Sequence, residues 1–378
     1  MTFGRKKLTI NINLELVILF LLSFFFCLKA TASDIHTADT AKNSKLGYFA
    51  YPYAFYTPET NLAFGIGSMV YFRFSDSSRI KPSRILTSFY YTINNQFNFN
   101  LEPLLHFKGP WEGVLQSKVT YFKEIPKFYG IGNGSQKITN PEFELRKLGI
   151  TLELGGDLAI MENFSGGILY ENINVDITDK KDNPFLNSEN IYGSNGGRIS
   201  GLGLLLLIDN RDNIFYPSEK GYYKLNSFNY NDWLGGEYNF NRLVLDLRQY
   251  FNFKEKNIIA LQAYSDMTFG NVPFFALPEV GGSERMRGVF QGRYRDKMYF
   301  TTQAEYRRHV WWRLGFTAFV GIGQVGPDTG AFHLDGFKTA YGGGLRVLFD
   351  EKEKINIRFD VGFSEGETNI YFSLEEAF

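Results

Sequence analysis

The chain has 378 residues, 44% of them hydrophobic, 17% aromatic and 21% charged, and its 40 lysines and arginines balance its 40 aspartates and glutamates. Net charge zero, with so few basic clusters, makes the chain a poor candidate for gripping a nucleic-acid backbone, which depends on neutralising phosphates. The single cysteine, Cys27, excludes a disulfide framework and a thiolate metal centre.

The first element is not part of the fold. Arg5, Lys6 and Lys7 precede the apolar run Leu16 to Leu28, and Ala30-Thr31-Ala32 follows it as a small-residue cleavage site. This is the pattern of a cleaved signal peptide over 1–32, and the run of about 13 apolar residues is shorter than the roughly 20 a spanning helix needs. Removing this segment also removes Cys27 and a charge of +3, leaving −3 on the mature chain.

Residues 33–46 read as a short periplasmic segment, and 47–378 as one continuous domain with no linker or compositional break. Alternation of period two recurs throughout that domain. Phe97, Phe99, Leu101, Pro103, Leu105 and Phe107 interleave with Asn98, Asn100, Glu102 and His106, and Ile355, Ile357, Phe359, Val361 and Phe363 with Asn356, Arg358, Asp360 and Gly362. Successive strand residues point to opposite faces, so one face of each segment is apolar and the other polar.

Turn signals divide the alternation into sixteen strands near 47–57, 61–73, 83–95, 96–108, 113–124, 143–155, 158–176, 198–210, 221–232, 236–251, 257–270, 297–309, 312–325, 338–350, 354–364 and 368–377. These segments exceed the ~5–6 residues typical of a soluble sandwich and match the tilted strands of a membrane barrel. An even count agrees. The fold expected is therefore all-β, a 16-stranded antiparallel transmembrane β-barrel. Aromatic residues near segment ends (Tyr71, Phe72, Tyr121, Phe122, Tyr222, Tyr223, Tyr299, Phe300, Trp311, Trp312) are expected to form interfacial girdles.

Catalytic chemistry finds little support. His36, His106, His309 and His333 have no metal-ligand spacing, and the sequence offers no catalytic triad beyond an inward His106 near a serine. Neither an enzyme nor a bound cofactor or metal is expected.

The long connection 271–296 is the most informative stretch: Leu277-Pro278-Glu279-Val280-Gly281-Gly282-Ser283-Glu284-Arg285-Met286-Arg287-Gly288-Val289-Phe290. It resembles the sixth loop of the BamA/TamA superfamily of outer-membrane barrels, the bacterial surface antigen family, with Met286-Arg287-Gly288-Val289 at the place of the family's Val-Arg-Gly-Phe/Tyr motif. Tyr56-Thr57-Pro58-Glu59-Thr60, Lys127-Phe128-Tyr129-Gly130-Ile131-Gly132-Asn133, Asp209-Asn210-Arg211-Asp212 with Pro217 and Gly221, Gln303-Ala304-Glu305-Tyr306-Arg307, and the last residues up to Phe378 are similar to further family segments, in the family's order.

The resemblance implies a Gram-negative outer-membrane barrel whose sixth loop folds into the lumen. It carries Arg287 and Gly288 as the loop motif. Alternation places Glu305 on the lumenal face, and a guanidinium drawn away from water needs an anionic partner, so Glu305 is the expected partner of Arg287. The family's Phe-x-Asp-x-Gly strand motif corresponds to Phe319-Val320-Gly321-Ile322-Gly323, where Gly321 replaces the aspartate.

Ser33 to Leu46 is too short for the POTRA domains that precede the barrel in inserting or secreting members. The expected role is assistance in insertion or translocation of proteins, or of lipids, through a weak seam between the first and last strands; Pro52 and Pro58 fit a short seam. Expected partners are outer-membrane lipid, client barrel proteins and separate POTRA-bearing or chaperone proteins of the periplasm, with no nucleic acid. The alternative is a passive pore, or a structural barrel anchoring a separate periplasmic partner.

Overall fold

The structure, a computed structural model, describes residues 46–72, 83–108, 112–158, 160–188, 190–254 and 257–378. The expected signal peptide 1–32, and all of the segment 33–46 but Leu46, lie outside them. The described residues form β1 (Leu46–Thr57), β2 (Asn61–Phe72), β3 (Ser83–Thr92), β4 (Phe97–Lys108), β5 (Glu112–Glu124), β6 (Glu144–Asp157), β7 (Phe164–Asp179), β8 (Gly196–Asp209), β9 (Lys220–Tyr230), β10 (Phe240–Phe253), β11 (Asn257–Gly270), β12 (Met298–Trp311), β13 (Leu314–Gly326), β14 (Lys338–Asp350), β15 (Ile355–Ser364) and β16 (Glu367–Leu374). Each strand pairs antiparallel with its neighbours in sequence, and β1 meets β16 to close the barrel. Closure gives every strand a neighbour on both sides, by a single register pair between β1 and β16, and a closed sheet is what hydrocarbon requires.

The expected alternation separates outside from lumen. On β12, Tyr299, Thr301, Gln303, Glu305 and Arg307 are buried, and Phe300 between them is exposed. Outward apolar side chains such as Ile168, Leu204 and Leu345 are more than half exposed, an apolar band that is favourable only against lipid.

Several strand ends differ from expectation for identifiable reasons. The seventh strand was expected from 158; residues 160–163 instead turn, with Asn163 at φ +58°, and β7 starts at Phe164. The tenth was expected from 236, but a 3-10 turn at Asp232–Leu234 ends on left-handed Gly235 and delays β10 to Phe240. The last strand was expected through 377. It ends at Leu374, the chain turns at Glu375 (φ +65°), and Ala377 and Phe378 pack against Tyr250 and Ala260 in a buried cluster. Arg307 Nη2 donates to the Phe378 carbonyl at 2.7 Å, so the terminal phenylalanine is tucked under the lumen rather than displayed on a strand. Several expected girdle residues also fail: Phe122 packs on the buried cluster with Phe128 and Phe143, Tyr222 lies against Arg211 and Arg248, and Tyr299 is 2% exposed and faces Tyr264 on the lumenal wall, because of two consecutive strand residues only one can face out.

At the end from which 271–297 emerges, the connections 125–143 and 180–195 close over the lumen. Phe128, Phe143, Leu186, Phe274 and Leu277 form its buried apolar cap. Asn183 fixes one side of the cap, accepting from the Phe185 and Leu186 amides as an N-cap and donating to the carbonyls of Phe128 and Pro141, each at 2.9 Å.

Candidate functional site

The connection between β11 and β12 is a hairpin folded into the barrel. Val280 N donates to Tyr294 O at 2.9 Å, Gly292 N to Val280 O at 2.9 Å and Gly282 N to Val289 O at 3.1 Å, so much of its backbone is satisfied internally. Val280, Met286, Val289 and Tyr294 pack on Tyr264, Tyr299 and Val325 of the wall.

Near the hairpin tip, Arg287 is 1% exposed. Its Nη2 donates to Glu305 on β12 and its Nη1 to Asp360 on β15 at 2.7 Å, while the guanidinium lies 3.8 Å from the ring centre of Phe319. The structure therefore brings Arg287 and Glu305 together and adds Asp360, which the sequence reading did not connect to the loop. Where β13 has Gly321 in place of an aspartate, the second carboxylate comes from β15, two strands away. Gly321 instead borders the Met286 sulfur, with a built Cβ 3.5 Å from it.

The two carboxylates are shared further. Glu305 accepts from Arg307 Nε at 2.6 Å, and Asp360 from Arg346 Nη1 at 2.6 Å. Arg346 Nε also donates to Glu376 at 2.7 Å. Each ion here is buried, so each needs its partners: removing one strands a charge in a medium that solvates it poorly.

Gly288 follows the arginine at φ +113°, in the region that favours glycine. Its N–H donates to Tyr371 Oη at 3.0 Å and its carbonyl accepts from Asn369 Nδ2 at 2.7 Å, both on β16. Three residues on, Gln291 N donates to Glu59 Oε1 at 2.9 Å in the β1–β2 turn. The tip of the hairpin thus holds both the last strand and the first hairpin. Burial pushes the Glu59 carboxyl up from its ordinary range, with the Gln291 N–H pulling the other way.

The tip spans a thin junction. Strands β1 and β2 are in register over all twelve residues from Leu46 to Thr57, and β15 and β16 from Ile357 to Ser364, but β1 and β16 share a single register pair, Tyr56↔Phe372. Ladder pairing is what holds neighbouring strands, so this junction is the weakest in the wall.

Comparison with known proteins agrees with this geometry. Residues 63–378 match the Omp85 superfamily domain. Among solved structures, the chain is similar to BamA from Haemophilus ducreyi lacking POTRA domains 1–3, at a TM-score of 0.60 and 13% identity, over 88% of this chain and 70% of that one. It is also similar to CdiB from Acinetobacter baumannii, at a TM-score of 0.58 and 12% identity, over 88% of this chain and 60% of that one. No curated protein matches.

Proposed function

The chain belongs to the Omp85 superfamily, and on that premise we propose that it works in the outer membrane of a Gram-negative cell, assisting insertion or translocation of client proteins through the β1–β16 seam. The observation that carries this reading is the single register pair Tyr56↔Phe372. An edge so little paired leaves backbone donors and acceptors on β1 free to form a ladder with a client strand, which is recognition by strand addition. The apolar outer band lets a strand that leaves the seam sideways pass directly into lipid. The role is non-catalytic: the protein supplies a template edge and a local path, and the client supplies the strands. Partners of this reading are client barrel proteins, surrounding lipid and a periplasmic protein that delivers clients. Arg287, Gly288 and Glu305 act as positioning residues that keep the hairpin tip behind the seam.

The test is a reversible cross-link. Tyr56 and Phe372 are directly opposite, and such pairs lie at Cα separations of about 4.5–5.5 Å, which a disulfide can bridge. Oxidised Tyr56→Cys/Phe372→Cys protein in proteoliposomes is expected to lose at least tenfold in insertion of an unfolded barrel client, and a reductant to restore it. Equal insertion by the oxidised and reduced forms overturns the seam mechanism and leaves a pore or an anchoring barrel.

A further inference from the structure

The loop hairpin packs against the lumenal side of β11 to β16. On the other side of the β1–β16 seam, β1 to β5 carry a different surface. The faces are fixed by β2, where Ala63 is 0% exposed while Phe64 and Ile66 point outward at 50% and 55%. Residues of β1 in register with Ala63, Gly65, Gly67 and Met69 are Phe55, Tyr53, Tyr51 and Phe49, so these four aromatic rings all face the lumen.

The two tyrosines lean over the next strand. A Cβ built on Gly67 would fall 2.6 Å from Tyr51 Cζ, and one on Gly65 2.5 Å from Tyr53 Cζ, so both phenol rings rest directly over glycines of β2. Glycine is what permits it, since any other side chain would lift the ring. Successive ring centres are 6.0, 6.2 and 6.2 Å apart, with the outer two pairs inclined by only 25° and 15°. The middle pair is inclined by 47°, so the result is an aromatic floor of four rings along β1 on the lumenal wall, with Phe49 at 45% and Tyr51 at 42% exposure.

Beside this floor runs a hydroxyl and amide row. The register continues from Tyr51 to Gly67, Ser88, Asn100 and Thr120 on successive strands. Asn100 is hydrogen-bonded to Thr120 at 2.9 Å and to Ser88 at 3.4 Å. One level away Glu102 and Lys118 form an ion pair at 2.8 Å and cancel each other's charge, so the wall selects for no charged ligand.

We propose that this wall is a binding surface for a neutral glycan chain. A pyranose ring has a C–H face that stacks on a flat aromatic face and a hydroxyl rim that exchanges hydrogen bonds with amides and hydroxyls; the wall offers both, the rings along β1 and the polar row leading away from Tyr51 across the neighbouring strands. A polypeptide is served less well. Recognition of an extended peptide draws on a free strand edge or on side-chain pockets; the seam edge of β1 offers a peptide its backbone groups, whereas the ring faces offer none and β2 beneath them is paired on both sides from Ala63 to Phe72. The rings take no part in the Arg287 ion pairs or in strand addition, which uses the backbone of the β1 edge, so this binding goes beyond insertion or translocation of proteins.

The experiment is saturation-transfer NMR on the purified full chain in detergent, with maltohexaose, cellohexaose, isomaltohexaose and chitohexaose as probes and a ten-residue alternating apolar peptide as competitor. Transfer to pyranose C–H protons is expected for at least one glycan. It should fall at least tenfold in Tyr51→Ser/Tyr53→Ser, and also in Gly67→Val, which keeps the phenol but tilts it off the wall. Heat-modifiable migration on a gel verifies that each variant is folded. No transfer to any of the four glycans, equal transfer in the folded variants, or transfer to the peptide alone would each overturn the proposal.

Discussion

Arg287→Ala is expected to lower the unfolding free energy of the barrel by about 3–5 kcal/mol, the range for stripping one partner from a buried ionic group. The size follows from what remains. Glu305 and Asp360 are 1% and 0% exposed, and both lose a guanidinium donor at once. Arg307 and Arg346 still contact them, but those arginines also serve the Phe378 carbonyl and Glu376 and cannot move into the gap without vacating their own positions. The contrast is Lys118→Ala, which breaks an ion pair in which lysine is 48% exposed and should cost less than about 1 kcal/mol. Arg287→Lys should resemble the alanine variant more than wild type, because an ammonium is a point charge and cannot present two N–H groups in a plane toward two separated carboxylates. Urea titration of the purified protein in detergent measures all three. A loss for Arg287→Ala no greater than that for Lys118→Ala would show that the lumenal ion cluster does not hold the hairpin.

How much of this was readable beforehand depended on whether the information was local. Alternation fixes which face a side chain takes, so the sixteen strands, the lumenal position of Glu305 and the outward apolar face of β4 were all legible. Boundaries slipped where one residue adopts a left-handed conformation, as at Asn163, Gly235 and Glu375, because alternation continues in the sequence past the point where the chain turns. Asp360 shows the other limit. Its place on a polar face beside Arg358 was evident, but its contact with Arg287, 73 positions away, depends on how far across the lumen the hairpin reaches, and no periodicity encodes that distance. The terminal residues were misplaced for a similar reason: Arg307, on another strand, draws the Phe378 carbonyl inward. The aromatic floor on β1 had a usable signal, in Gly65 and Gly67 spaced to face Tyr53 and Tyr51 across a tight hairpin, yet only the register shows that ring and glycine coincide.

Gly362→Ala is expected to expel the hairpin tip although it adds one methyl group and no charge. Gly362 lies on β15 beneath the loop, and a Cβ there would meet Arg287 C and Gly288 N at 2.6 Å and Arg287 O at 2.7 Å. All three are backbone atoms, so no side-chain rotation relieves the overlap. From the other side, a Cβ on Gly288 would come within 2.8–2.9 Å of the Phe363 backbone, so wall and loop are in main-chain contact and neither can retreat alone. Overpacking typically costs about 1–3 kcal/mol, and here the loop must also give up the Arg287 ion pairs, so the loss should reach the upper end of that range or exceed it. Gly149→Ala is the control: its Cβ would meet the Ile173 side chain at 3.6 Å, an ordinary contact. Limited proteolysis should cut within 271–297 in the Gly362 variant and spare the Gly149 variant. Because Gly362→Ala and Arg287→Ala displace the same turn, the double variant should lose less than the two single losses combined, since a turn already expelled has no ion pairs left to break. Strict additivity would mean that the glycine contact and the ion cluster hold the hairpin independently, and the tip would then not be a single locked unit behind the seam.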